Sequence, residues 1–142
     1  MGSEMCIRDR IKDLIEIRFL IEPSIAAMAA IRADETDIKN ILTACENTEK
    51  LLLANKNHAE KDIAFHTAIA LSSKNIVVPK LVPIINSSIP LIRESAKFTM
   101  RDETIEIHRE IADAIAAHDA VRAHDAMYLH LIYNRKHIKS IN

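Results

Sequence analysis

The sequence holds one glycine, Gly2, in 142 residues, and no Asn-Gly or Asp-Gly pair. A sheet domain of this size needs several tight turns, which such residues supply. Their scarcity argues against a sheet and for long helices on short connections. Tryptophan is absent, and there are three Phe and two Tyr. So few rings argue against a stacking platform for single-stranded nucleic acid. Cys6 and Cys45 do not make a disulfide framework. An excess of one charge is also lacking: 19 basic and 20 acidic residues leave a formal net charge of -1. That balance gives no electrostatic reason to bind a polyanion. No apolar run reaches the roughly 20 residues of a bilayer span, and no secretory h-region opens the chain. The expectation is a cytoplasmic, all-α protein with one domain, one core and no membrane contact.

What is plentiful is apolar helix-forming sequence and histidine, of which there are seven. The first ten residues, MGSEMCIRDR, carry no periodic apolar face and read as a non-native or uninformative leader to a domain spanning 11–142. From Ile11 the apolar positions recur at three and four, through Leu14, Ile15, Ile21 and on to about Ala33. Pro23 bends this helix or restarts it. Asp34, with Asp37 three positions on, predicts an N-cap for a second helix. That helix runs to about Leu53, with Ile38, Ile41, Leu42, Cys45, Thr48 and Leu52 inward. A third covers about His58 to Ser72, and Ser73, Lys74 and Asn75 break it. A fourth, Ile76 to about Phe98, holds Pro79, Pro83 and Pro90 and is kinked or divided. A fifth spans about Arg101 to Ala117, and a sixth about Asp119 to Ile138, with Asp119 placed to cap it. The architecture expected is an antiparallel bundle of six to seven helices.

Polar residues interrupt the inward stripes at a few places. Asp62 and His66 stand one turn apart on one face of the third helix. His108 lies among Ile105, Ile111, Ala112 and Ile115 on the inward side of the fifth. His130 shares a face of the sixth with Ala123, Ala126, Met127 and Asn134. The joint at position 119 is eleven residues from each of these two histidines, or about 16 Å along each helix at 1.5 Å per residue. In an antiparallel hairpin, the arrangement a short connection favours, both imidazoles stand at one level. A lone inward histidine is as a rule a core residue whose nitrogens find protein partners. Three imidazoles and a carboxylate aimed at one spot are instead a ligand set for a borderline divalent metal. Arg18 and Glu22 form an i,i+4 pair on the first helix. It is either a surface or rim ion pair or a pocket guanidinium able to clamp a carboxylate. His58, His118, His124 and His137 have no such setting and are given no role.

These residues lie in four segments that resemble one family. They are DLIEIRFLIEPSIAAMAA, DIAFHTAIALSSKN, EIHREIADAIAAHD and AHDAMYLHL, beginning at Asp13, Asp62, Glu106 and Ala123. In order and spacing they resemble the FCD-type ligand-binding domain of FadR-like GntR transcriptional regulators, from Ile11 to about Ile138. The resemblance implies a helical bundle with a divalent metal at its centre, held by Asp62, His66, His108 and His130. It implies zinc first, with nickel, manganese or iron as alternatives. It also implies a small organic acid effector near Arg18, with Asn134 beside it, and a homodimer. The family's N-terminal winged helix-turn-helix has no counterpart in these residues, so DNA binding is implied for a longer parent and not for this chain. One departure is His118, where many relatives carry Gly before the Asp.

The mechanism implied is sensing, with no chemistry on the ligand. The ligand set would also permit a small metal-dependent hydrolase or oxygenase, but no evident general base stands beside it. A plain structural or dimerisation bundle is the other alternative.

Overall fold

A computed structural model describes the backbone of residues 3–95 and 101–140. Among the described residues it has six helices and no strand: α1 (Ser3–Arg32), α2 (Glu35–Leu53), α3 (Ala59–Ser72), α4 (Val78–Ser95), α5 (Arg101–Ala116) and α6 (Ala120–Ser140). The end expected for the fourth helix, at Phe98, lies outside the described residues. α1 begins at Ser3, so most of the leader, which has no apolar stripe, continues the first helix. Pro23 sits inside α1 and Pro83 and Pro90 inside α4, yet neither helix is restarted or divided.

The helix ends follow their local chemistry. The Asp34 side chain accepts from Asp37 N at 2.8 Å, and the Asp37 side chain accepts from Asp34 N at 3.0 Å. That closes the capping box which starts α2. Asn75 Oδ1 accepts from Val77 N and Val78 N, opening α4. Asp119 Oδ1 accepts from Arg122 N at 3.1 Å and caps α6. The α5 end closes with Asp119 N to Ala114 O and His118 N to Ile115 O, at 2.9 and 3.0 Å, a Schellman turn. Such a turn needs one residue with positive φ, where glycine is usual. Here Asn55, Lys74 and His118 take it, with φ of 55, 57 and 55°.

His118 therefore stands at the position of this turn where glycine is usual. Its ring offsets part of the strain, with Nδ1 2.9 Å from Ala30 O. The left-handed conformation costs a non-glycine residue about 1–2 kcal/mol, and the hydrogen bond returns about 1 kcal/mol net. His118→Gly is thus expected to be neutral to within about 1 kcal/mol. His118→Val, which loses the bond and adds the further strain of a β-branched residue at positive φ, is expected to cost about 1–2 kcal/mol. Urea unfolding of both variants decides it, and a costly His118→Gly would sink the account.

The core is continuous through the bundle: Ala26, Ala29 and Ala30 of α1, Ile41 of α2, Phe65 and Ile69 of α3, Ile85 of α4, Ile111 and Ile115 of α5, and Met127 of α6. The small residues on α1 let helices approach its backbone closely, and α1 packs on α3, α4, α5 and α6. α2 packs on α3 and α5, so its inner stripe is narrow. Ile41, Cys45, Thr48 and Leu52 are buried, but Leu42, expected inward, is 36% exposed. It stands about 100° around the helix from Ile41, beyond what a two-sided contact covers. α5 and α6 run antiparallel, as the ion pair between Glu110 and Arg122 at 2.7 Å and the adjacent His108 and His130 rings require.

Candidate metal centre

Three helices bring acidic and imidazole side chains together in the middle of this core. α3 contributes Asp62 and His66, α5 His108 and α6 His130, all buried. The rings of His108 and His130 lie 4.9 Å apart between centroids, and those of His66 and His130 5.4 Å. The level match from the sequence is therefore present in space. His66, His108 and His130 each offer a ring nitrogen within 4.8 Å of the others, and form a cluster able to hold a divalent metal ion. Asp62 Oδ1 stands 3.3 Å from His66 Nε2 and 3.5 Å from His108 Nε2.

These contacts are not hydrogen bonds. Asp62 Oδ1, His66 Nε2, both ring nitrogens of His108 and His130 Nε2 are buried with no hydrogen-bond partner. A buried polar atom without a partner costs about 1–3 kcal/mol, so several in one place call for a common partner. Ligand bonds of about 2.0–2.1 Å set neighbouring donor atoms on one ion about 3–3.4 Å apart. The Asp62–imidazole distances fit such edges, and imidazole with carboxylate is a donor set for borderline divalent ions.

Arg18 of α1 is fully buried, with relative exposure of 0%. Of the two settings the sequence left open, a surface or rim pair is excluded. Arg18 Nε donates to Glu22 Oε2 at 2.5 Å, and Nη1 donates to Ser88 Oγ of α4 at 3.2 Å. Nη2 has no hydrogen-bond partner. Glu22 was visible in the sequence only as the partner of Arg18. The structure adds that its Oε1 lies 2.7 Å from His66 Nδ1. No spacing rule could show this, because the contact joins α1 to α3. Asn134 lies one turn beyond His130 and is half-buried.

The other histidines divide. His58, given no role, is buried at the N-cap of α3, near enough to His108 to act on it electrostatically. His118 serves the α5–α6 turn, and His124 faces Asp125 at 3.0 Å near the surface. The side chain of His137 lies outside the described residues. An open groove of about 680 Å³ between α1 and α6 is lined by residues such as Phe19, Leu20, Tyr128 and Arg135, and by none of the central polar groups.

The electrostatics of the metal-free centre are divided by partner. Burial alone would raise the Glu22 carboxyl, but Arg18 and His66 hold it down at about 2. Burial also opposes ionisation of Asp62, and the adjacent His66 and His108 hold it well below the usual carboxylate range. Burial works against a charged His66, but Glu22 and Asp62 outweigh it and push it up to about 9. His108 and His130 go the other way: burial pushes His108 down to about 4, and burial with the neighbouring His108 and His66 depresses His130.

A stability maximum follows for the protein in chelator. Unfolded histidine titrates near 6.5. Between pH 6.5 and about 9 the folded chain holds the extra proton, on His66, so stability falls as pH rises. Between 6.5 and about 4 the unfolded chain holds the extra proton, at His108, so stability falls as pH drops. Urea unfolding from pH 4 to 9 is expected to peak near 6.5, and a monotonic profile would contradict the partner assignments.

An all-helical domain closed around a histidine cluster fit for a divalent ion is the class of protein this geometry defines. Residues 13–132 match the FCD domain model, and the chain belongs to that family, the ligand-binding type of GntR-family regulators. It is 29% identical over 130 residues to an uncharacterized HTH-type transcriptional regulator, YcbG, of Bacillus subtilis (strain 168), covering 92% of this chain and 55% of that one. It is 32% identical over 118 residues to the galactonate operon transcriptional repressor of Escherichia coli (strain K12), covering 77% of this chain and 49% of that one. The solved structure of Streptococcus agalactiae GntR superposes with a TM-score of 0.78 at 34% identity, covering 92% of this chain and 60% of that chain. The chain thus spans about half the length of the curated relatives it matches. These relatives are transcriptional regulators. No helix of the described residues is long and apolar enough to cross a membrane.

Proposed function

We infer that the chain is the effector-sensing part of a GntR-type transcriptional regulator, binding one divalent metal ion and a small organic acid without transforming it. The observation that carries this reading is the group of buried ligand atoms on Asp62, His66, His108 and His130 that have no hydrogen-bond partner. Those four side chains would hold the ion, with zinc first and nickel, manganese or iron as alternatives. The ion would supply a Lewis-acid anchor for one carboxylate oxygen of the acid. Arg18 would offer Nη2, which is buried without a hydrogen-bond partner, to the second anionic oxygen, and Asn134 would offer an amide to the rest of the ligand. The surrounding helices exclude water, which strengthens each of these contacts. The names of relatives support an acid: one is called for a galactonate operon and another for an L-lactate dehydrogenase operon.

In the full-length parent the acid would shift a two-state equilibrium of helix packing and so the spacing of paired DNA-reading heads in a homodimer. This chain itself reads no groove, and its place is the cytoplasm. Metal analysis of protein prepared without chelator tests the first half, with one ion per chain expected. Calorimetry with L-lactate and galactonate tests the second, with binding lost in Arg18→Met and in metal-stripped protein. Protein that holds no metal, and that refuses zinc, nickel, manganese and iron alike, would leave the plain bundle as the better reading.

A further inference from the structure

Glu22 differs from the other central residues in touching two of them with separate oxygens. Oε1 meets His66 Nδ1 at 2.7 Å, and Oε2 accepts from Arg18 Nε at 2.5 Å. A carboxylate on one ring nitrogen fixes which nitrogen carries the proton. Here Glu22 holds the Nδ1 proton, so Nε2, which faces Asp62 Oδ1 and the histidine cluster, is the nitrogen that would give up its proton to a bound ion. On the other side Arg18 is held at two of its three arms. Glu22 takes Nε, and Ser88 Oγ takes Nη1 while sending its own proton to Ile85 O at 2.8 Å. A planar guanidinium fixed at two nitrogens has its third direction set. Nη2 is that third nitrogen, buried and without a partner.

The geometry points to Glu22 as a positioning residue that couples the two ends of the site. One oxygen orients the imidazole that presents Nε2 to the metal, and the other orients the guanidinium that presents Nη2 to the acid. This rests on the metal-and-acid reading above and adds regulation to it. An ion that fixes the His66 ring fixes Glu22, and through it Arg18, before any acid arrives. By linkage the acid then raises affinity for the ion by the same factor. A carboxylate that merely neutralised two buried cations would leave Arg18 indifferent to the metal.

The test uses the whole chain and zinc alone. The Arg18 Nε–H cross-peak is followed by 1H–15N NMR during a zinc titration, and is identified by its loss in Arg18→Lys. In the wild type the peak is expected to move in step with zinc and stop at one equivalent. Glu22→Gln offers one acceptor where two donors point, so one of the two contacts must be lost. In that variant zinc binding is expected to weaken about tenfold or more, and the Arg18 peak no longer to follow it. A field effect of the ion on Arg18 would persist in the variant, so its disappearance separates coupling from proximity. Circular dichroism checks that the variant is folded, and the wild-type titration needs no variant. An Arg18 peak unmoved at zinc saturation, or a variant with wild-type affinity and response, overturns the coupling alone. A wild-type chain that fails to bind zinc overturns the metal reading, and this inference with it.

Discussion

Zinc at about a thousand times its dissociation constant raises the melting temperature of the wild-type chain by about 10 °C or more, and His108→Ala abolishes the rise. Ligand at that excess stabilises the folded state by about 4 kcal/mol. For a domain of this length each kcal/mol moves the midpoint by about 3–4 °C. His108 is the informative position because both its ring nitrogens are buried without partners. In chelator, removing the ring costs packing against Phe65, whose centroid is 4.9 Å away, but it also removes two unsatisfied atoms. The metal-free variant should therefore stand close to the metal-free wild type, and the two should separate only when zinc is added. A core histidine with no ligand role behaves differently: its loss lowers both midpoints equally, and zinc raises neither. Scanning calorimetry on the four samples distinguishes these outcomes.

Arg18→Met destabilises the metal-free chain by about 3–5 kcal/mol, and adding Glu22→Gln restores part of the loss. Breaking one half of a buried ion pair strands the other charge, which is worth about that much. Replacing both members by neutral side chains is far cheaper, because no charge is left to desolvate. Glu22 is ionised at neutral pH, since Arg18 and His66 hold its carboxyl at about 2 against the pull of burial. Without Arg18 it keeps only His66. Urea unfolding of the two single variants and the double variant at pH 7 gives the coupling directly. Strict additivity, with the double variant as costly as the sum of the singles, would mean that the pair is solvated in solution and the buried geometry is wrong.

Much of this was legible beforehand because it depends on spacing along single helices. The near-absence of glycine pointed to helices, and Asp34 and Asp119 marked the starts of α2 and α6. Asp62 and His66 fell one turn apart by arithmetic. His108 and His130 fell level because a short joint fixes the register of two helices. What was missed depends on contacts between helices distant in sequence. Glu22 read as half of an ordinary i,i+4 pair because only the approach of α3 reveals His66 behind it. His58 looked like a helix-start residue, and its burial near His108 is a fact of packing. Leu42 was placed inward because a periodic pattern does not reveal how many neighbours a helix has. The first helix was cut short because periodicity registers an apolar stripe, and a helix can continue without one.

The depth of the histidine cluster also bears on time. His66, His108 and His130 are each no more than 4% exposed and belong to three different helices. An ion seated among them can leave only when those helices part, which makes its escape an opening reaction of the bundle and not a surface exchange. Its residence is then governed by how often the core breathes. A chelator in excess strips it at a rate set by the protein, independent of how much chelator is present. On the reading proposed above, such an ion would be a fixed part of the domain on the timescale of a transcriptional response.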